Sequence, residues 1–174
     1  IPIKLPTPSD KKVEEDLLEI EGRRVFDYMH FSLAMSSSRR FARWVAWNID
    51  GGSLKKLDRK GIKFKYDPNI PEENQAGDEL YDDNVLDRGH IARRADLLWG
   101  TLAEAKKANK DSFFFTNITP QHEAFNQSGK DGIWGQIEDA IFNEVKVETL
   151  RISVMGGPIF SDDDPDYRGF YIPK

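Results

Sequence analysis

Cysteine is absent from the 174 residues, which excludes disulfides and thiolate metal sites and otherwise leaves the compartment open. Also missing is any apolar run approaching the roughly 18 to 20 residues that span a bilayer, and no charged-then-apolar leader opens the chain, so no membrane association is expected. The first residues are Ile1-Pro2-Ile3, without methionine. Removal of an upstream segment such as a secretion signal is the expectation, and with it a secreted or periplasmic location. There is no internal repeat, low-complexity tract or interdomain linker. What is present, 39% hydrophobic and 11% aromatic residues, suffices for one domain with a real core.

The net charge is −5, but the charges are segregated. From Arg39 to Lys65 nine basic residues (Arg39, Arg40, Arg43, Lys55, Lys56, Arg59, Lys60, Lys63, Lys65) face only Asp50 and Asp58, so this stretch carries +7 and the rest of the chain −12. A basic stretch in an acidic protein can be footing for phosphates or merely the solvated face of a strand pair; charge alone does not separate the two.

Residues 1–23 read as an extended arm and a short helix capped by Ser9 or Asp10, with Val13, Leu17 and Ile20 at helical spacing before Gly22. In residues 24–174, Arg24 to Ala34, Phe41 to Ile49 and Gly61 to Tyr66 read as strands, and 67–83 as a loop. A short strand through His90, a small helix near Leu102 to Ala108, a buried strand from Phe113 to Thr116 and a helix from Gly132 to Val147 make a strand, strand, helix unit. Arg151 to Met155 is a further strand. The expected fold is α+β: a mixed, mainly antiparallel sheet flanked by helices.

At 100° per residue, Trp134, Ile137, Ile141 and Val145 fall within about 60° on the last helix, and Glu138 lies about 40° from Trp134, at the edge of the expected buried stripe. A carboxylate there calls for a partner, whether a cation, a hydrated metal or a basic side chain, or else it snorkels to water. Of the three histidines, His30 reads as structural and His122 as peripheral. His90 differs because Arg88, two residues earlier, projects from the same strand face. A neutral imidazole can take a proton from water while a guanidinium steadies phosphate charge, the pairing that phosphodiester cleavage needs. Asn126, ahead of the helix, can offer a carbonyl to Mg²⁺ or serve as a turn former; Asn117 can orient a neighbour.

Four blocks occur in order: Asp87-Arg88-Gly89-His90, Thr116-Asn117-Ile118-Thr119-Pro120-Gln121, Asn126-Gln127 and Trp134-Gly135-Gln136-Ile137-Glu138. In these the chain resembles the DNA/RNA non-specific endonucleases of the ββα-metal superfamily, which includes endonuclease G. The resemblance implies a ββα-metal unit, with His90 as general base, Asn126 as protein ligand of a hydrated Mg²⁺ (Mn²⁺ as an alternative) and Glu138 reaching that metal through water. It further implies that Asn117 and Arg88 assist in catalysis and that an upstream basic residue, here Arg59, meets the phosphate. Products would carry 5′-phosphates, from DNA, RNA or both.

The chain departs from the family pattern in places. Arg93 stands where many members have proline; with Arg94 it is expected to strengthen substrate binding. Asn126 and Trp134 are separated by about one helical turn more than usual. Gly157-Pro158-Ile159-Phe160 and the last residues resemble a point where the family continues into more sheet, so a missing C-terminal portion or a second polypeptide is expected. The resemblance leaves a homodimer open. Two rivals are a catalytically silent nucleic-acid-binding module and a protein-interaction domain on a nuclease scaffold.

Overall fold

The computed structural model describes residues 3–127, 129, 132–147 and 149–173. Ser128, Lys130 and Asp131, in the expected glycine loop ahead of the last helix, lie outside the described residues. Helix α1 (Lys11–Glu15) is capped by Asp10, whose carboxylate accepts from Val13 N at 2.9 Å. It ends before Leu17 and Ile20, which instead sit in isolated bridges to Ser36 and Arg23. Asp16 stops the helix by accepting from Ser36, Ser38 N and Arg43; a five-residue helix has too little of its own stability to resist such tertiary bonds.

The segment expected as one strand from Arg24 to Ala34 is a hairpin, β1 (Phe26–Tyr28) and β2 (Phe31–Met35). Its turn holds His30 at φ 73°. Strand β3 (Ala42–Asp50) follows as expected. The span Gly61 to Tyr66 forms no strand beyond a single parallel bridge between Lys65 and Phe114, because Phe64 and Tyr66 turn inward onto Phe113 and Phe115 rather than lying along a sheet edge. The expected loop 67–83 contains one helical turn, α2 (Asp78–Tyr81), with Leu80 and Tyr81 buried.

Next come β4 (Leu86–His90), α3 (Leu102–Asp111) and β5 (Ile118–His122). A Thr101–Glu104 capping box starts α3. Phe113 to Thr116 is buried but is not a strand: a tight 3-10 turn, Phe115–Asn117, leads into β5. Then follow α4 (Glu123–Asn126), α5 (Ile133–Val147), β6 (Arg151–Gly156) and the two-residue strands β7 (Asp166–Tyr167) and β8 (Phe170–Tyr171).

The main sheet runs β1-β2-β3-β6, all antiparallel; β4 pairs antiparallel with β5 and β7 with β8. One core lies around Leu33, Val45, Ile49, Ile91 and Leu97, and a second, of Phe41, Leu80, Tyr81, Phe115 and Ile118, packs about the β4–β5 pair. No described helix is long and apolar enough to cross a membrane.

The buried face of α5 is not the expected one. Val145 is buried, but Ile137 and Ile141 are 44% and 37% exposed. Glu138, Asp139 and Phe142 are half-buried instead, with Phe142 under the guanidinium of Arg93. The helix thus meets the apolar core through Val145 near its end and the Arg93 guanidinium through Asp139 and Phe142.

The basic stretch also divides. Arg39 pairs with buried Asp164 and donates to Ser161 O, Arg40 lies over Phe170 and donates to Gly169 O, and Arg43 pairs with Asp16. These three arginines fasten the N-terminal and C-terminal segments to the sheet. The exposed charges left for a polyanion are Lys55, Lys56, Arg59, Lys60, Lys63 and Lys65.

Candidate active site

The β4–β5 pair sets the site's geometry. Asp87 lies opposite Gln121 and His90 opposite Ile118. A Cβ on Gly89 would come 2.2 Å from the Gln121 side chain, so glycine is demanded between Arg88 and His90 by close cross-strand packing.

Asn117 is completely buried. Its Oδ1 accepts from Ala92 N at 2.9 Å, and its Nδ2 donates to Ala92 O at 3.0 Å and Ser112 O at 3.1 Å. With Ile91 N donating to Asn117 O, this amide fixes the backbone that follows His90. Asn117 therefore acts on the histidine through its mounting.

His90 is half-buried between Phe64 and Phe113, with ring centroids 5.6 and 5.2 Å away. Its Nε2 is shielded from solvent and has no hydrogen-bond partner among the described residues. Burial first, then the charges of Arg59 and Arg94, push the imidazole down to about 3, so the ring is neutral at physiological pH.

On the Phe64 side opens a cleft of about 400 Å³ lined by Arg59, Phe64, Leu86, Asp87, Arg88, Asn126 and Gln127; His90 and Glu138 are not in its lining. Arg59 is exposed, sits over Phe64 and Phe113, and makes no ion pair among the described residues. Arg88 reaches the same wall, but its guanidinium is held by Asp78 at 2.7 Å and Asp82 at 3.2 Å. Arg59 and Arg94, rather than Arg88, dominate the field at His90.

Asn126 closes the far side. Its Nδ2 donates to Asp87 Oδ2 at 3.0 Å, as does Gln127 Nε2 at 2.8 Å. Asp87 thus occupies the donor ends of both amides and presents their oxygens elsewhere. Neither Asp87 nor Gln127 was assigned a role from sequence, although both stand inside the recognised blocks; no spacing rule ties residues 39 positions apart.

Glu138 is half-buried on the inward face of α5. Burial pushes its carboxyl up to about 7, with Arg93 pulling down and Asp96 and Asp139 pushing up. Arg93 and Arg94 are not in the cleft lining. Arg93 pairs with Asp139 at 2.5 Å, and Arg94 donates to Asn109 Oδ1 and Leu57 O, both at 2.6 Å. His122, expected in a loop, ends β5, and its Nδ1 accepts from Ala124 N.

His30 is structural as expected, donating from Nδ1 to Leu97 O at 2.8 Å and stacking on Trp99 at 3.5 Å. It borders a larger concavity, about 500 Å³ on the open sheet face, which contains none of the site residues.

Among the described residues, no group of three or more His, Asp or Glu side chains is placed to cage a metal ion. Of the residues expected to hold a metal, Asn126 lines the cleft and Glu138 does not; an amide oxygen suits a hard cation that keeps most of its own water. An incompletely compensated carboxylate at Glu138 fits the same reading.

A paired strand, a following helix and a histidine mounted at the strand's end define an α+β nuclease fold of the ββα-metal type. The chain belongs to the DNA/RNA non-specific endonuclease family, whose sequence pattern matches residues 10–174. It is 42% identical over 158 residues to the uncharacterized protein y4fB of Sinorhizobium fredii, covering 86% of this chain and 24% of that one. It is 31% identical over 156 residues to the human mitochondrial nuclease EXOG, covering 86% and 40%, and 28% identical to human mitochondrial endonuclease G, covering 75% and 41%. The chain therefore spans less than half the length of these curated relatives. Among solved structures it resembles EndoG in an EndoG/EndoGI complex determined to explain EndoG inhibition, with a TM-score of 0.70 at 20% identity over 96% of this chain and 71% of that one.

Proposed function

We propose that this chain carries the catalytic centre of a divalent-metal-dependent, sugar-non-specific endonuclease that hydrolyses phosphodiester bonds of DNA, RNA or both to 5′-phosphorylated products. The observation that carries the reading is His90: a neutral imidazole mounted by buried Asn117, flanked by two aromatic rings and facing the fields of Arg59 and Arg94. Membership of the endonuclease family supports it.

His90 accepts the proton of the attacking water. Its basicity is low in the free protein because burial, and after it two guanidiniums, oppose imidazolium formation; an arriving phosphodiester anion offsets the guanidinium part of that opposition. Arg59 meets the non-bridging oxygens, and Phe64 beneath it keeps water from one side. Asn126 through Oδ1, and Glu138 through water, would hold the cation. When bound, Mg²⁺ or Mn²⁺ neutralises charge building on the phosphate and the departing 3′ oxygen. Contacts confined to the backbone carry no sequence information, which accounts for low specificity.

The test is cleavage of supercoiled plasmid and of RNA by the wild-type chain and by His90→Ala, each with Mg²⁺ and with EDTA, with product ends identified by ligation. Nicking that needs metal, leaves 5′-phosphates and disappears in a folded His90→Ala protein is expected. Binding without cleavage by folded wild type would instead favour a silent nucleic-acid-binding module.

A further inference from the structure

Arg93 stands three residues after the proposed general base, where its sequence position suggests phosphate contact. The structure turns it the other way. The Asn117 amide grips both backbone groups of Ala92, so the chain leaves β4 in one direction and carries Arg93 toward α5. There Nη2 donates to Asp139 Oδ1 at 2.5 Å, the guanidinium lies 5.3 Å from the Phe142 ring centroid, and Nη1 is buried with no hydrogen-bond partner among the described residues. Glu138 and Asp96 both feel its charge. One cation thus faces three carboxylates on two segments, the helix that bears Glu138 and the turn behind His90.

We infer that Arg93 is a positioning residue, which locks the helix carrying Glu138 to the backbone that follows His90 and leaves phosphate contact to Arg59. Its planar fork suits the task, since it can bond Asp139 through one edge while stacking on Phe142. A proline at this position could not supply this link, so a chain carrying arginine here sets the helix by charge. The inference rests on the nuclease reading above.

The experiment compares wild type, Arg93→Ala, Asp139→Asn and the double variant in plasmid nicking, and measures the salt dependence of their binding to a DNA duplex in EDTA. For Arg93→Ala a fall in kcat on the order of 10- to 100-fold is expected, the usual effect of losing a residue that orients a metal-site group. KM and the slope of log affinity against log salt should stay at wild-type values. Asp139→Asn should share part of the kcat loss, and the double variant should lose less than the sum of the two single losses, because the singles share the Arg93–Asp139 contact.

A raised KM with kcat retained and a salt slope reduced by about one would identify Arg93 as a phosphate ligand and overturn the inference. So would additive losses in the double variant. Should Arg93→Ala fail to fold by circular dichroism, Asp139→Asn reads the same contact from its more exposed end, and full kcat there overturns the idea. A folded wild type that cleaves neither DNA nor RNA with any divalent cation defeats the nuclease reading itself, a result distinct from the others.

Discussion

The Asn126 side-chain amide donates to Asp87 Oδ2 at 3.0 Å. This joins a cleft-lining residue of β4 to the last residue of α4, and Gln127 donates to the same oxygen. The bond decides which end of the Asn126 amide faces Asp87 and therefore which end can serve a cation.

Asp87→Ala should free both amides to rotate. The Mg²⁺ concentration giving half-maximal nicking should rise by about 10- to 100-fold, with DNA affinity in EDTA unchanged or slightly higher after loss of a negative charge. Metal titrations of the nicking rate for wild type, Asp87→Ala and Asn126→Ala would show this; an unshifted titration for Asp87→Ala would remove its orienting role.

The basic residues should fall into two classes. Arg39→Ala leaves the Asp164 carboxylate, only 1% exposed, without its charge partner and should cost about 3–5 kcal/mol of stability, seen as a lower urea midpoint. The salt slope of DNA binding should not change. Arg59→Ala should do the reverse, reducing the slope by about one while leaving the midpoint nearly unchanged.

Asp96 provides a pH-dependent stability test. Burial pushes its carboxyl up to about 6, moderated by the hydrogen bond from Trp47 Nε1 and the charge of Arg93. The folded state therefore holds this proton more tightly than the unfolded chain. The resulting stabilisation is complete below about pH 3.8 and is lost as pH rises through about 6. Asp96→Asn keeps an oxygen for Trp47 and removes the titration. Relative to wild type, it should gain on the order of 2–3 kcal/mol between pH 4 and pH 7.5. Denaturant midpoints at the two pH values measure that difference; equal shifts at both would refute the assignment.

The face of α5 can be tested by paired substitutions. Ile137→Ser, at a position 44% exposed, should shift stability by about 1 kcal/mol or less. Val145→Ala, at 2% exposure, should cost about 1.5 kcal/mol or more. Thermal denaturation of both variants decides between the observed face and the one expected from apolar spacing.

Local rules accounted for much of the fold: the span of α5, the start of α3 and the run of β3 follow from apolar period, capping and β-branched content within each segment. The four recognised blocks singled out His90, Asn117, Asn126 and Glu138 as candidates, through resemblance to a family pattern. Residue order could not show which way those groups face. Phe64 and Tyr66 alternate like a strand, yet among the described residues only the single Lys65–Phe114 bridge forms along their length, and they turn into the second core. Arg39, Arg40 and Arg43 look like polyanion footing, yet the partners of Arg39 and Arg40 lie up to about 130 residues downstream and Arg43 pairs with Asp16 upstream. On α5, Arg93 meets Asp139 and Phe142 from another segment.

Sequence by itself determined the class of element and the chemical inventory of the site, since propensity, capping and side-chain chemistry act within a few residues. Tertiary structure alone decided that Asp87 orients Asn126, that Arg93 meets Asp139 and that Arg59 stands over the rings flanking His90. Hydrogen-bond direction and charge compensation depend on distances between segments far apart in the chain, and folding alone sets those distances.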